Sequence, residues 1–362
     1  MAATVDKRAQ LTMEHWGAAE PQVGCDYYTF PPLVAFHSEA ITGRPLPYSL
    51  AWLEDWICET FLPPSVERII SLCCGFGDLE RILARRGFFR ECVAYDISHG
   101  AIEGAKRRAA EARLTHIRYE QADVNGMVLE PGSADVIWAN GALHHIERLE
   151  HIVAEIHRAL RPGGTLVAVE YVGADHQRPT PRQHELINAV IHLIPPRLRA
   201  PPALLAGLYR YPVPPLVIAA LVQFLRGRAG EQPPVPAKRA DAVKRMLHAL
   251  GDVSARLLPP NKFQFEQAWN YDHRYFEEVD PSEGVRASGI VPAIRGRFPE
   301  AQVRYFHGTL LAYALDREFY RKFDPASAAD HALLRSLVEI ERQAIERGEI
   351  VSNNAVIIAR KN

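Results

Sequence analysis

The chain has 362 residues, of which 48% are hydrophobic and 23% charged, and its formal net charge is −1. That size and balance suit one large elaborated globular domain or two small ones, and the near-zero charge gives no electrostatic case for nucleic acid or an anionic membrane surface. The N-terminal Met1-Ala-Ala-Thr-Val-Asp-Lys7 lacks the apolar core of a secretory signal, and no uninterrupted apolar run reaches the roughly 18 residues of a spanning helix. The five cysteines are Cys25, Cys58, Cys73, Cys74 and Cys92; they are odd in number and show no zinc-ligand spacing. They read as reduced thiols packed as small apolar residues, so a cytoplasmic location is expected and no metal site is read from them.

In chain order, residues 1–65 hold two aromatic and apolar stretches, around Tyr27 to Phe36 and Leu50 to Phe61, and read as an N-terminal helical cover. Residues 68–73 predict a β-branched strand that runs into Cys73-Cys-Gly-Phe-Gly77. Leu79, Ile82 and Leu83 mark one face of a helix, with Gly87 suited to its C-cap. Residues 92–95 predict a second strand ending at Asp96, and Ser98 is placed to cap the helix that carries Ile102, Ala105 and Ala109. A third strand, 117–121, leads to Asp123, and a fourth, 135–139, ends at Asn140. Leu149, Ile152, Val153, Ile156 and Leu160 recur at helical spacing. Arg161-Pro-Gly-Gly164 is expected to stop that helix, and 165–172 to form a fifth strand. Strands alternating with helices predict an α/β fold with a parallel sheet covered on both faces.

Residues 66–172 therefore read as the core, and 173–283 as a large, mostly helical, proline-rich insertion forming a lid over an acceptor pocket. Within 182–256 the insertion carries eleven Lys/Arg against four Asp/Glu, an excess of 11 − 4 = 7. It also holds the apolar run Leu216-Val-Ile-Ala-Ala-Leu-Val-Gln-Phe-Leu225 and a linker-like stretch at 231–237. Residues 284–362 are expected to return to the core sheet, with a helix at 285–298, a strand at 302–315, an amphipathic helix at 326–347 and a final strand at 354–359.

Four strand ends bring chemistry to one edge. In an open α/β sheet, ligands bind outside the carboxyl ends of the strands, where the strand order reverses. Gly75 and Gly77 let a ligand approach the backbone closely, and the helix that follows offers unpaired N–H groups there. The third glycine of a dinucleotide fingerprint is replaced by Glu80, which points away from NAD and toward another adenosine cofactor. A carboxylate at Asp96 can accept from ribose hydroxyls, and Asp123 can accept from an adenine amino group.

The series Ser71-Leu-Cys-Cys-Gly-Phe-Gly77, Ala94-Tyr-Asp-Ile-Ser98, Gln121-Ala-Asp-Val124, Asp135-Val-Ile-Trp-Ala-Asn-Gly-Ala-Leu-His-His145 and Leu160-Arg-Pro-Gly-Gly-Thr-Leu166 resembles the class I S-adenosylmethionine-dependent methyltransferases. The resemblance covers residues 68–172 and extends to a final hairpin formed by 302–315 and 354–360. It implies a doubly wound, mostly parallel, seven-stranded sheet of Rossmann-like type. It also implies that Cys73, Gly75 and Gly77 pack against the methionine part of S-adenosylmethionine, Asp96 holds the ribose, and Ile97, Asp123 and Val124 meet adenine. Asn140 and Gly141 would line the path to the sulfur. The family's acidic residue is Ser71 here and one of its glycines is Cys73, so the resemblance calls for a compensating group, for instance from the N-terminal segment.

Methyl transfer depends largely on positioning, and a hydroxyl acceptor adds the need for a base. His144 and His145 are the candidate bases, and Tyr27, Tyr28 and His37 the candidates to close over the substrate. The expected activity is methyl transfer to a small-molecule hydroxyl of natural-product or glycan-related type, apolar or anionic, with S-adenosylhomocysteine as product. N- or C-methylation, an NAD-type oxidoreductase, and a non-catalytic cofactor-binding protein stand as alternatives. A homodimer is compatible with the sequence.

Overall fold

The computed structural model describes residues 7–18, 27–199, 269 and 271–362. Three helices lead, α1 (Lys7–Ala18), α2 (Pro31–Thr42) and α3 (Trp52–Phe61). The alternating core follows: β1 (Val66–Leu72), α4 (Asp78–Arg85), β2 (Phe89–Asp96), α5 (His99–Glu111), β3 (Ile117–Gln121), β4 (Ala134–Asn140), α6 (Leu149–Ala159) and β5 (Leu160–Tyr171). Then come α7 (Pro181–Leu193), α8 (Ile290–Arg297), β6 (Gln302–Phe306), α9 (Leu311–Ala314), α10 (Arg317–Lys322), α11 (Ala328–Glu346) and β7 (Asn354–Arg360).

All seven strands join one sheet in the order β3-β2-β1-β4-β5-β7-β6. β1 to β5 are parallel, and β7 runs antiparallel to both β5 and β6. The chain winds from β1 outward to β3, then resumes on the other side at β4. The crevice at this reversal lies at the carboxyl ends of β1 and β4.

Alternation along the strands divides the core. Ile69, Cys92, Ala94, Val136 and Trp138 face α3, α4 and α5, and share a cluster with Ile57, Leu83, Ile102 and Ala105. Ile70, Leu72, Ile137 and Ala139 face the other way, onto Ile152, Val153 and Ile156 of α6 and Ile290 and Ile294 of α8. Parallel strands buried on both faces carry few polar residues, which is why they read as near-continuous apolar runs. A third cluster joins Phe30, Leu33 and Phe36 at α2 to Ile187 and Val190 of α7 and Leu334 and Leu337 of α11.

Ser98 caps α5 as expected, its hydroxyl accepting from the Ala101 N–H at 3.3 Å. Three boundaries differ from the expectation. β5 begins at Leu160, because Arg161-Pro-Gly-Gly164 continues in extended form and Gly163 donates to the Lys361 carbonyl instead of ending a helix in a free turn. The strand expected over 302–315 stops at Phe306, since His307 and Gly308 take φ values of 32° and 76° that no ladder accommodates. The chain then turns into α9, and the N–H groups just before it meet the buried Glu341: Thr309 and Leu310 donate to its Oε1 at 3.0 and 3.1 Å. The helix expected over 285–298 is confined to α8 and the 3-10 turn before it.

Cys25, the apolar run at 216–225, the linker at 231–237 and most of the basic insertion lie outside the described residues. Among the described residues, no helix is long and apolar enough to cross a membrane.

Candidate active site

The turn after β1 is built from left-handed backbone. Cys73, Gly75 and Gly77 have φ values of 52°, 52° and 76°. A cysteine in this conformation costs about 1–2 kcal/mol relative to glycine. The two glycines turn out to serve different needs. A Cβ on Gly77 would lie 2.5 Å from the Tyr119 hydroxyl, whereas a Cβ on Gly75 would meet nothing within 4 Å. Gly77 is therefore demanded by internal packing, and Gly75 is the one that leaves open space above the turn. Gly77→Ala is expected to destabilise the fold by about 1–2 kcal/mol through strain and overlap, read as a fall of a few degrees in thermal midpoint.

Asp96, at the end of β2, is tied to this turn. Its Oδ2 accepts from the Gly75 N–H at 2.8 Å and its Oδ1 from the Ser98 N–H at 2.8 Å. Burial raises its pKa, and these two backbone donors oppose the rise. Ile97 follows, half-buried at the same edge. Asp123 is exposed and caps its own short turn, with Oδ1 accepting from the Asn125 N–H at 2.9 Å. The Val124 side chain corrects an expectation: it is buried in the α6-side core, so only its backbone is left for the edge. Asn140 and Gly141 are exposed at the end of β4, and Gly141 donates to the Val169 carbonyl at 2.8 Å.

Ser71 is buried and lies on the α4 side of the sheet, where its hydroxyl donates to Glu80. Glu80 is only 1% exposed, and burial raises its carboxyl from 4.5 to about 7. Its Oε2 has no hydrogen-bond partner among the described residues. The carboxylate that lies beside Ser71 thus comes from the first turn of α4. The residue that breaks the dinucleotide fingerprint is the same one that places an acid beside Ser71. Cys73 and Cys74 carry thiols pushed well up by burial, which keeps them protonated and leaves them as packing groups.

After β4, residues 143–145 form one 3-10 turn held from β5. Glu170, buried near the end of β5, accepts from the Ala142 and Leu143 N–H groups at 2.9 and 2.8 Å. Its Oε2 also lies 2.8 Å from His144 Nδ1. Burial lowers the His144 pKa, but the hydrogen bond and charge of Glu170 outweigh it, so the net shift is upward. His145 is driven well below its ordinary value by burial and by His144. Its Nδ1 is 3.0 Å from Ser282 Oγ, and Trp16 of α1 packs edge-on against its ring at 5.4 Å.

The candidates from the N-terminal segment divide. Tyr27 and His37 do not open toward the edge. Tyr27 is buried and its hydroxyl accepts from the Gly308 N–H at 3.1 Å, while His37 is buried with Nε2 at 3.1 Å from the Tyr27 carbonyl and its ring packed beside Phe36. Tyr28 is 47% exposed and donates to Asn354 Oδ1 at 3.3 Å, at the edge where β7 begins. Sequence reasoning missed Glu170, Gln177, Glu283 and Tyr313. Gln177 donates to Glu283 Oε1 and accepts from the Tyr313 hydroxyl at 3.5 Å, which joins the histidine turn to α9. Glu170 alone had a legible signal, a carboxylate near the carboxyl end of a core strand.

Residues 70–168 match the methyltransferase domain family. The chain is 27% identical over 166 residues to the sterol 24-C-methyltransferase of Candida albicans, covering 45% of this chain and 43% of that protein. It is 31% identical over 110 residues to the demethylmenaquinone methyltransferase of Thermus thermophilus, covering 30% and 50% respectively. A solved S-adenosylmethionine-dependent methyltransferase from Mesorhizobium loti is 28% identical with a TM-score of 0.31, over 36% of this chain and 61% of that one. The chain thus spans about half the length of the curated relatives it matches. Residues 70–168 thus carry a methyltransferase domain, and matched domain, strand order and motif order together support a class I S-adenosylmethionine-dependent methyltransferase.

Proposed function

We propose that this protein transfers the methyl group of S-adenosylmethionine to a small-molecule acceptor, with a hydroxyl of a natural-product or glycan-related compound as the receiving atom. The reading rests above all on the turn at Gly75, where open space lies over a left-handed glycine and a buried carboxylate, Asp96, is bound to the same backbone. The unpartnered Glu80 Oε2 adds a second fit, since a cationic amino group would satisfy it. These groups suit a cofactor with a ribose diol and an ammonium.

When bound, the cofactor supplies a methyl group already activated on a sulfonium. The protein's share is orientation, proton handling and exclusion of water. Asp96 would hold the ribose hydroxyls, and Glu80 with Ser71 the amino group beside Cys73 and Gly75. Ile97, Asp123 and the Val124 backbone would border adenine, and Asn140 and Gly141 the acceptor path. Tyr28, Tyr313 and Gln177 would line the acceptor side. His144 and His145 are the proposed proton acceptors. His144 is the better armed, because Glu170 fixes its Nδ1 and leaves Nε2 to act, whereas the depressed His145 is a weak base.

Carbon methylation of an apolar acceptor is a second reading, favoured by likeness to a protein named sterol 24-C-methyltransferase. Incubation with methyl-labelled cofactor and a panel of hydroxylated small molecules is expected to give an extractable labelled product together with S-adenosylhomocysteine. The label should resist alkali, as an ether does. Label released as methanol would mark an ester and contradict the hydroxyl reading.

A further inference from the structure

His144 and His145 are consecutive, yet both rings use Nδ1 for support and turn Nε2 to the same carboxylate. His144 Nδ1 is held by Glu170 at 2.8 Å. His145 Nδ1 meets Ser282 Oγ at 3.0 Å, and that hydroxyl donates to the buried Asp280 at 2.6 Å. The two Nε2 atoms lie 3.7 Å from Glu283 Oε1 and 3.8 Å from Glu283 Oε2. The three groups can each present one ligand atom with all of them within 4.8 Å of one another. The two histidine-to-carboxylate separations, 3.7 and 3.8 Å, exceed the ~3.2 Å limit of a good hydrogen bond. They fall within the roughly 4.2 Å spanned by two ligand bonds of about 2.1 Å to one cation.

The surroundings support this reading. Ligating histidines characteristically give their other nitrogen to a carboxylate or hydroxyl, which fixes tautomer and ring direction. Both histidines here have such support. Charge argues the same way. Glu170, Asp280 and Glu283 are three carboxylates with little exposure, and among the described residues no Lys or Arg forms an ion pair with any of them.

We propose that His144 Nε2, His145 Nε2 and a Glu283 oxygen form a site for one divalent first-row transition cation. Two imidazoles and one carboxylate suit Zn²⁺, Fe²⁺, Co²⁺ or Mn²⁺ better than Mg²⁺ or Ca²⁺, which favour all-oxygen shells. Three protein ligands leave positions open. On the methyltransferase reading, an acceptor hydroxyl would occupy one of them and lose its proton more readily, and His144 Nε2 would act as base only in the cation-free protein. Cation binding itself does not depend on that reading.

The test is a titration of chelator-treated full-length protein with Co²⁺, followed by visible absorbance and by thermal midpoint. Wild type is expected to bind one equivalent, to show the absorption of a nitrogen- and oxygen-ligated cobalt, and to melt higher when loaded. Glu283→Gln, close in shape, and His145→Ala should each bind at least tenfold more weakly and lose the gain in midpoint. His192→Ala, an exposed histidine on α7, should behave as wild type. Absence of stoichiometric binding by wild type, or equal binding by Glu283→Gln and wild type, overturns the site. S-adenosylmethionine titrated into the same samples separates the two readings. Cofactor binding without cobalt binding removes the cation site alone, and cobalt binding without cofactor binding removes the methyltransferase reading alone.

Discussion

Asp96→Ala is expected to bind S-adenosylmethionine at least about thirtyfold more weakly than wild type, a loss of roughly 2 kcal/mol. Two effects combine. The proposed ribose acceptor is removed, and the Gly75 N–H loses the partner that fixes the turn, since that bond is 2.8 Å long and closes β1 onto β2. Asp96→Asn separates them. It keeps one acceptor oxygen for the turn but cannot accept from two ribose hydroxyls and two backbone donors at once. Only one of the two backbone donors loses its acceptor, so its thermal midpoint should fall less than that of Asp96→Ala while affinity falls. Titration calorimetry and a melting curve on the same samples make the comparison, and unchanged affinity in Asp96→Ala would remove the ribose assignment.

Glu80→Gln is expected to weaken cofactor binding about tenfold near pH 8 and to abolish its pH dependence. The sign follows from the raised carboxyl. Burial moves Glu80 from 4.5 to about 7, so between those values the folded protein holds a proton that the unfolded chain has released. Glu80 therefore contributes most stability below pH 4.5, and that contribution is lost as pH rises toward 7. An ammonium placed beside Glu80 favours the carboxylate. Cofactor binding should thus release a proton near pH 6 and tighten as pH rises to 8. Calorimetry in buffers of different ionisation enthalpy counts that proton. If Glu80 served packing alone, Glu80→Gln would change the melting curve and leave proton release intact.

The core was readable because its strands are buried on both faces and its helices have one apolar stripe. Ile69, Ile70, Val136 and Ile137 announce strands by composition, and Leu149 to Ile156 announce a helix by spacing. Breaks set by tertiary contact were not readable. Nothing local stops a strand after Phe306; what stops it is backbone turned by His307 and Gly308 and captured by Glu341, about thirty residues later in the chain. The site divides in the same way. Gly75, Asp96, Asp123 and Asn140 are legible because each sits just past a predicted strand. Glu80 was visible only as a missing glycine, because its partnership with Ser71 arises when the first turn of α4 packs on β1. Glu283 comes from a stretch without period or motif and meets His144 and His145 only in the folded chain. The burial of the Val124 and Tyr27 side chains was not readable for the converse reason, since a residue next to a strand end can still point into the core.

Titration of the full-length protein with S-adenosylmethionine and, separately, with NAD is the most direct test of the central claim. Saturable one-to-one binding of S-adenosylmethionine that weakens in both Asp96→Ala and Glu80→Gln, with no binding of NAD, is the predicted result. Binding of NAD with none of S-adenosylmethionine would contradict the account.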